Sequence, residues 1–412
     1  MANVLVTQCT AGWRLIDHHI ARLLALALAS LAYLSGTAYS TNLFIADYSG
    51  FVTTAALTST CGGYSLEKTF TTNQCAPNPS WLTADLDRGL LYCLNEGLNT
   101  VNGSLSSFTV NTDGSLKLVQ DTKSINGPVS GALYGSASGP RGIALAHYGG
   151  SAVSTWVLKN NGAFTLNQHF DYTLSHPGAV PDRQDAPHEH EAIVDPTGQY
   201  ILVPDLGADL IRVFSYDQKT LKLKTLDPLK VKPGTGPRHA AFWQPTSSGK
   251  TYFYLVAELA ATVTGYSVEY LSNGKGLNFT QIYSSPTYGD KLKQPPGNAP
   301  AEITVSPDNR FIVISNRNDT YFTLPNGKKS DSISTFQFQN DGKLSFVQLA
   351  PAGGSFPRHF SINKACDLIV IGLQNDNNVV VMQRAIDTGL IGNTVASLGV
   401  SGNPTCVIFD EK

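Results

Sequence analysis

The chain has 412 residues, a formal net charge of −2 and only 15% charged residues. That balance holds no basic stripe and excludes nucleic acid as a partner. With 37 Gly and 22 Pro, many turns and few amphipathic helices follow, and all-β repeat folds commonly run to this length as one unit.

Residues 20–34 form an apolar run broken only by Arg22 and Ser30, with Arg14 before it and Ser35-Gly36-Thr37-Ala38 after it. A basic region, a short apolar core and small residues, in that order, predict a secretory signal over 1–40. Cleavage near Ala38 or Ser40 is preferred to an uncleaved signal anchor, which leaves 41–412 as one domain with no stable membrane span. The expected location is the secretory pathway or the exterior. Asn102, Asn278 and Asn318 each begin an Asn-x-Ser/Thr triplet and are candidate glycosylation sites. Cys61 and Cys75 flank a loop-like stretch and are expected to form a disulfide. Cys93, Cys366 and Cys406 read as small buried apolar residues, at least one of them free.

Beyond the signal the chain reads as strands and turns. Short β-rich runs occupy 42–46, 89–94, 200–203, 252–256, 311–314 and 368–371, each bounded by turn residues. The middle of the chain shows a whole unit. A strand over 190–194 leads through Asp195-Pro196-Thr197-Gly198 to a second at 200–203. A turn at 205–209, a third strand at 210–216 and a more polar fourth at 222–226 complete it. Four antiparallel strands per unit make a propeller blade.

A short motif recurs along these units. Gly236-Pro237-Arg238-His239 returns as Phe356-Pro357-Arg358-His359, with looser copies at Gly139-Pro140-Arg141, Ala186-Pro187-His188-Glu189-His190 and Ala299-Pro300-Ala301-Glu302. A period of roughly 47 to 63 residues marks an array or propeller. Opening strands near Trp81, Arg141, His190, His239, Glu302 and His359 give six blades. The seventh joins 404–409 to the strands after Thr41, and sharing a blade between the termini removes open sheet edges. The expected fold is therefore all-β: a single seven-bladed propeller of four-stranded antiparallel blades, preferred to eight. Loops at 283–300 and 321–330 are expected to cover one face. The motif's charged side chains converge on the centre, where the chemistry is expected.

The block Ala186-Pro187-His188-Glu189-His190-Glu191-Ala192, with Asp195-Pro196-Thr197-Gly198 and Pro204-Asp205-Leu206-Gly207-Ala208-Asp209, resembles the seven-bladed propeller lactonases. That family includes 6-phosphogluconolactonases of bacterial type and fungal carboxy-cis,cis-muconate cyclases. Gly236-Pro237-Arg238-His239, Ser315-Asn316-Arg317 and Phe356-Pro357-Arg358-His359 extend the likeness across most of the chain. The resemblance implies a metal-free and cofactor-free site built from His190, Arg238, Glu258 and Arg317. His188, His239, Glu302, Arg358 and His359 are expected to bind substrate or support that set. A structural turn role is the favoured alternative for Arg141 and Arg358.

Such a set suits a small carboxylated or lactone substrate. The planar fork of Arg clamps a carboxylate through two parallel hydrogen bonds. Imidazole exchanges protons near neutral pH, and Glu258 can orient His190 or hold water. The same groups close a lactone on a muconate or open one with water, so the expected enzyme is a cycloisomerase or a lactone hydrolase. Two alternatives stay open: a secreted, non-catalytic propeller glycoprotein, and a lactone-forming or lactone-opening enzyme of secondary metabolism. A phosphorylated lactone is disfavoured, because the sequence shows no extra basic cluster to hold phosphate.

Overall fold

The computed structural model describes residues 39–246 and 248–411; the expected signal over 1–40 lies, except for Tyr39 and Ser40, outside them. Seven four-stranded antiparallel sheets account for the body of the described chain, with one two-stranded ribbon, Phe322–Thr323 with Lys329–Ser330. Blades 1 to 6 span residues 79–124, 128–171, 193–230, 237–286, 303–351 and 357–399. Blade 7 pairs Pro404–Phe409 with Tyr39–Asp47 and continues through Val52–Thr60 and Gly63–Thr72. The two ends of the chain thus close the ring as expected. Among the described residues no helix is long and apolar enough to cross a membrane.

The burial pattern explains why the second strands read as unbroken apolar runs. Leu90–Asn95, Tyr200–Asp205, Thr251–Ala257 and Leu368–Leu373 are buried at every position, because a neighbouring blade covers each face. Outer strands such as Leu116–Ser124 alternate buried and exposed residues, with one edge in solvent. Seven apolar clusters fill the seven interfaces between neighbouring blades. Blade 7 is held against blade 6 through Leu43, Leu57, Val370 and Val381, and against blade 1 through Phe44, Val52, Leu91 and Phe108.

Blade 2 opens differently from the sequence expectation. Its first strand is Pro128–Gly135, and Arg141 begins the second strand, Arg141–His147. There the Arg141 guanidinium lies 2.6 Å from Asp85 of blade 1, a structural tie. The true opening turn, Gly127-Pro128, is followed by Val129 and Ser130, so a search for charged side chains passes over it.

The disulfide expectation is also corrected. Cys75 is joined to Cys93, not to Cys61. Cys61 and Cys75 stand beyond opposite ends of the extended strand Gly63–Thr72, which spans roughly 30 Å, far beyond the reach of a disulfide. Cys93 lies on the adjacent blade, with its Cα 6.3 Å from that of Cys75. Cys366 and Cys406 are free and buried. The Cys75–Cys93 bond closes a loop of 18 residues, for which chain entropy predicts about 3 kcal/mol. Cys93→Ala should lower the unfolding free energy by about that amount, measured by urea titration against the oxidised wild type. A change below about 0.5 kcal/mol would remove this structural role.

Candidate active site

One hydrogen-bonding rule repeated around the ring builds the site. On each blade a residue just past the second strand donates its backbone N–H to a carbonyl ahead of the same blade's first strand, at 2.7–3.3 Å. Tyr48, Glu96, Tyr148, Leu206, Glu258, Arg317 and Gln374 are the seven donors. They form an upper ring where the first strands begin. Their acceptors are Asn403, Asn78, Gly127, His188, Gly236, Ala299 and Phe356. Proline follows the acceptor in six blades, as Pro404, Pro79, Pro128, Pro237, Pro300 and Pro357; blade 3 has Glu189 instead.

The next residue is where strand pairing slips. The register shifts between Pro79 and Trp81, Pro128 and Ser130, Pro237 and His239, and Pro357 and His359. Ser80, Val129, Arg238 and Arg358 are thus extra, unpaired residues in β-bulges. A bulge re-aims a side chain, so two successive residues, not alternate ones, line the axis. Accordingly Ser80 and Trp81, Arg238 and His239, and Arg358 and His359 all border one axial cavity, together with His190, Glu302 and Thr405. The left-handed residue before the proline is Gly236 (φ 63°), where a Cβ would lie 2.4 Å from the Leu259 side chain. Phe356 adopts φ 62° at the matching position and packs over the Arg317 guanidinium, 4.9 Å from its ring centre.

The cavity holds about 10 Å³ of free space, about what one water requires. His190 Nδ1 lies 3.2 Å from His239 Nε2, and His239 Nδ1 lies 3.1 Å from Glu302 Oε2. His359 Nε2 approaches the same carboxyl oxygen at 3.6 Å. Burial, with Arg238, His239 and Arg358 adding to it, holds His190 well below its usual imidazole value. His239 is lowered for the same reason. Burial brings His359 down to about 4, although Glu302 pulls the other way. All three rings are therefore neutral at pH 7. Burial raises Glu302 despite His359 and Arg238, and it raises Glu191, with Glu302 adding to the effect.

The upper ring carries a second cluster. Glu258 receives Arg183 at 2.6 Å, Arg317 at 2.7 Å and the Nε of Arg238 at 3.0 Å. Burial pushes its carboxyl up, but Arg317, Arg238 and Arg183 outweigh this and hold it at about 2. Arg238 also donates to the Ala301 carbonyl, yet its Nε–H is poorly aligned with Glu258 and makes no hydrogen bond. Burial and Arg317 draw Arg238 down to about 9, still protonated at pH 7. Arg358 donates to the Tyr48 hydroxyl at 2.6 Å, and that hydroxyl bonds Glu96.

The predicted quartet is thus divided between two levels. His190 and Arg238 border the axial cavity; Glu258 and Arg317 pair with each other above it. Glu302, not Glu258, ends the chain of histidines. His188 does not border the cavity: it stacks on Tyr148 and reaches Asp185 at 3.1 Å. Arg183 was not singled out from the sequence. It sits in the strand-free segment between blades 2 and 3, anchored by the buried Gln184, whose amide donates to the Leu206 carbonyl. No local motif announces it, because its partner Glu258 is distant in sequence. With Arg183 the structure assembles the basic cluster that the sequence did not show.

Glu191, His239 and Glu302 place three ligand atoms within 4.8 Å of one another. Both nitrogens of His239 are already engaged, Glu191 accepts the Ala240 N–H at 2.6 Å, and the Arg238 guanidinium adjoins them.

Seven blades with a histidine and arginine centre define a propeller of lactonase type. The chain belongs to the lactonase family: residues 36–409 match the model described as "Lactonase, 7-bladed beta-propeller". A protein of Arthroderma benhamiae named "Probable 6-phosphogluconolactonase" is 34% identical over 81% of both chains. A 6-phosphogluconolactonase of Formosa agariphila is 28% identical over 81% of this chain and 88% of its own. The fold is shared with the periplasmic gluconolactonase PpgL of Pseudomonas aeruginosa, at a TM-score of 0.74. That alignment covers 90% of this chain and 99% of the other, with 23% identity.

Proposed function

We propose that the protein hydrolyses the lactone of a sugar acid, with an anionic substituent held by the upper arginines. The observation that carries this reading is the Nε2 of His190, without a partner among the described residues, beside Arg238 and Arg358 in a water-sized cavity. A water there gives its proton to Nε2 and attacks a lactone carbonyl seated above it. Arg238 and Arg358 stabilise the oxyanion that develops, an effect that is large where water is excluded. The alkoxide then leaves and recovers the proton from His190. The cluster of Arg183, Arg238, Arg317 and Arg358 supports a carboxylate or phosphate on the substrate, and the names of the relatives favour phosphate.

Muconate cyclisation is the second reading, and the names of the relatives, which are those of lactone hydrolases, do not favour it. The deciding experiment follows acid release from 6-phosphoglucono-δ-lactone, glucono-δ-lactone and a carboxymuconate. Accelerated opening of either sugar lactone supports the reading; turnover of the muconate alone would replace it.

Hydrolysis requires unprotonated His190. Because its pKa lies well below 6.5, the base form persists as pH falls through 6 and is lost only further down. The kcat/KM profile should therefore keep its plateau to below pH 6. An acid limb at 6.5 or above would contradict the assignment of His190.

Export is proposed from the N-terminal pattern, and two further facts support it. A disulfide joins Cys75 to Cys93, and Asn102, Asn278 and Asn318 are all exposed. A mobility shift on endoglycosidase treatment of protein from its native source tests glycosylation.

A further inference from the structure

We propose that His239 and Glu302 form a proton relay behind His190, fixing its tautomer and storing its proton during turnover. The inference rests on the hydrolytic reading for the reaction step, but its geometry stands apart from it.

A backbone group far from the reacting atoms sets the direction of the chain. The Val407 N–H donates to His359 Nδ1 at 3.3 Å. The proton of neutral His359 is therefore on Nε2, which faces Glu302 Oε2 at 3.6 Å and Cys406 Sγ at 3.8 Å. That carboxyl oxygen serves as an acceptor, while the other, Oε1, accepts the Ile303 N–H at 3.1 Å. Glu302 then receives Nδ1–H of His239. The lone pair of His239 Nε2 faces His190 Nδ1 at 3.2 Å and accepts its N–H. What remains on His190 is an unprotonated Nε2, the form a general base needs. Trp81 holds the arrangement, with its ring edge-on to His239 and His359 at centroid distances of 5.7 and 5.1 Å.

The surrounding charges suit transfer more than storage on a ring. His190 is faced by Arg238, Arg358 and His239, and a cation there meets two guanidinium groups. Glu302 is faced by His359 and Arg238, with buried Glu191 nearby, and can take the proton as a neutral acid. When water gives a proton to His190 Nε2, the Nδ1 proton passes to His239 Nε2, and the His239 Nδ1 proton passes to Glu302 Oε2. The hydroxide forms the new C–O bond. As the ring C–O bond breaks, the alkoxide takes a proton from His190 Nε2 and the relay runs backwards. One water is consumed, and a hydroxy acid is formed.

Ring nitrogen NMR on protein labelled with 15N-histidine at pH 7–8 tests the geometry without any substrate. His190 and His239 should carry the proton on Nδ1 and His359 on Nε2. An Nε2–H tautomer at His190 overturns the relay whether or not lactones are opened. In the kinetic arm, Glu302→Gln cannot store a proton and should lower kcat 10- to 100-fold with KM within twofold. It should also diminish the solvent deuterium isotope effect on kcat, a readout that a purely structural role does not move. A kcat within threefold of wild type overturns the relay. His239→Gln, checked by thermal melting, gives an independent second variant with the same expectation. If the tautomers are as stated but the wild type opens no lactone, the geometry is upheld and the hydrolytic function is what fails.

Discussion

Glu258→Ala should destabilise the protein by about 3–5 kcal/mol and abolish turnover. Glu258 is 5% exposed and is the shared counter-charge of Arg183, Arg238 and Arg317. Removing one partner from a buried ionic cluster leaves the others uncompensated, and losses of that size are typical. The pKa shift carries the same message. A carboxyl held at about 2 against its ordinary value of 4.5 adds stability that is complete above about 4.5 and fades as pH falls towards 2. Urea unfolding at pH 7 checks the first figure, and Glu258→Ala should show a weaker acid dependence than wild type over that window. A loss below about 1 kcal/mol would mean that the three guanidinium groups find other partners. For the same reason Arg238→Ala is a poor test of catalysis: Arg238 is only 2% exposed and bonds the Ala301 carbonyl, so its loss damages structure and activity together.

His190→Gln should reduce kcat by about 10²–10⁴-fold, the usual contribution of a positioned general base. Glutamine keeps a polar group near His239 but cannot take a proton from water. The fold should survive, because His190 stands in the polar axial layer, outside the apolar clusters between blades. Matched melting curves with unequal kcat values identify a catalytic role; a proportional loss of both identifies a structural one.

The propeller was legible because one local rule recurs. A left-handed or extended residue, a proline, and then two axis-facing residues begin most blades, and the second strands are apolar on both faces. Blade 2 departs from the motif because Val129 and Ser130 carry no charge, whereas Gly139-Pro140-Arg141 imitates it one strand later. In blade 3 the imitation is Pro187; the matching position is Glu189, as the His188 carbonyl shows. The disulfide pairing is hidden from the sequence because spacing along the chain does not reveal that an extended strand separates Cys61 from Cys75.

The site was legible as a set of residue types and less so as a geometry. Arg238, His190 and Arg317 were found from motifs, but strand periodicity assigns successive residues to opposite faces. The bulges at Arg238 and Arg358 break that rule, so that Arg238 with His239 and Arg358 with His359 border one cavity together with Glu302. Arg183 could be found only in three dimensions. Its segment contains no strand, and its partner lies on blade 4.

The most direct measurement is acid release from 6-phosphoglucono-δ-lactone and glucono-δ-lactone at pH 7, corrected for spontaneous opening, with wild type and His190→Gln in parallel. The account predicts clear acceleration by the wild type and at least a 100-fold smaller kcat for the variant, with both proteins folded. No acceleration of either lactone by folded wild type, or equal rates for the two proteins, would contradict it.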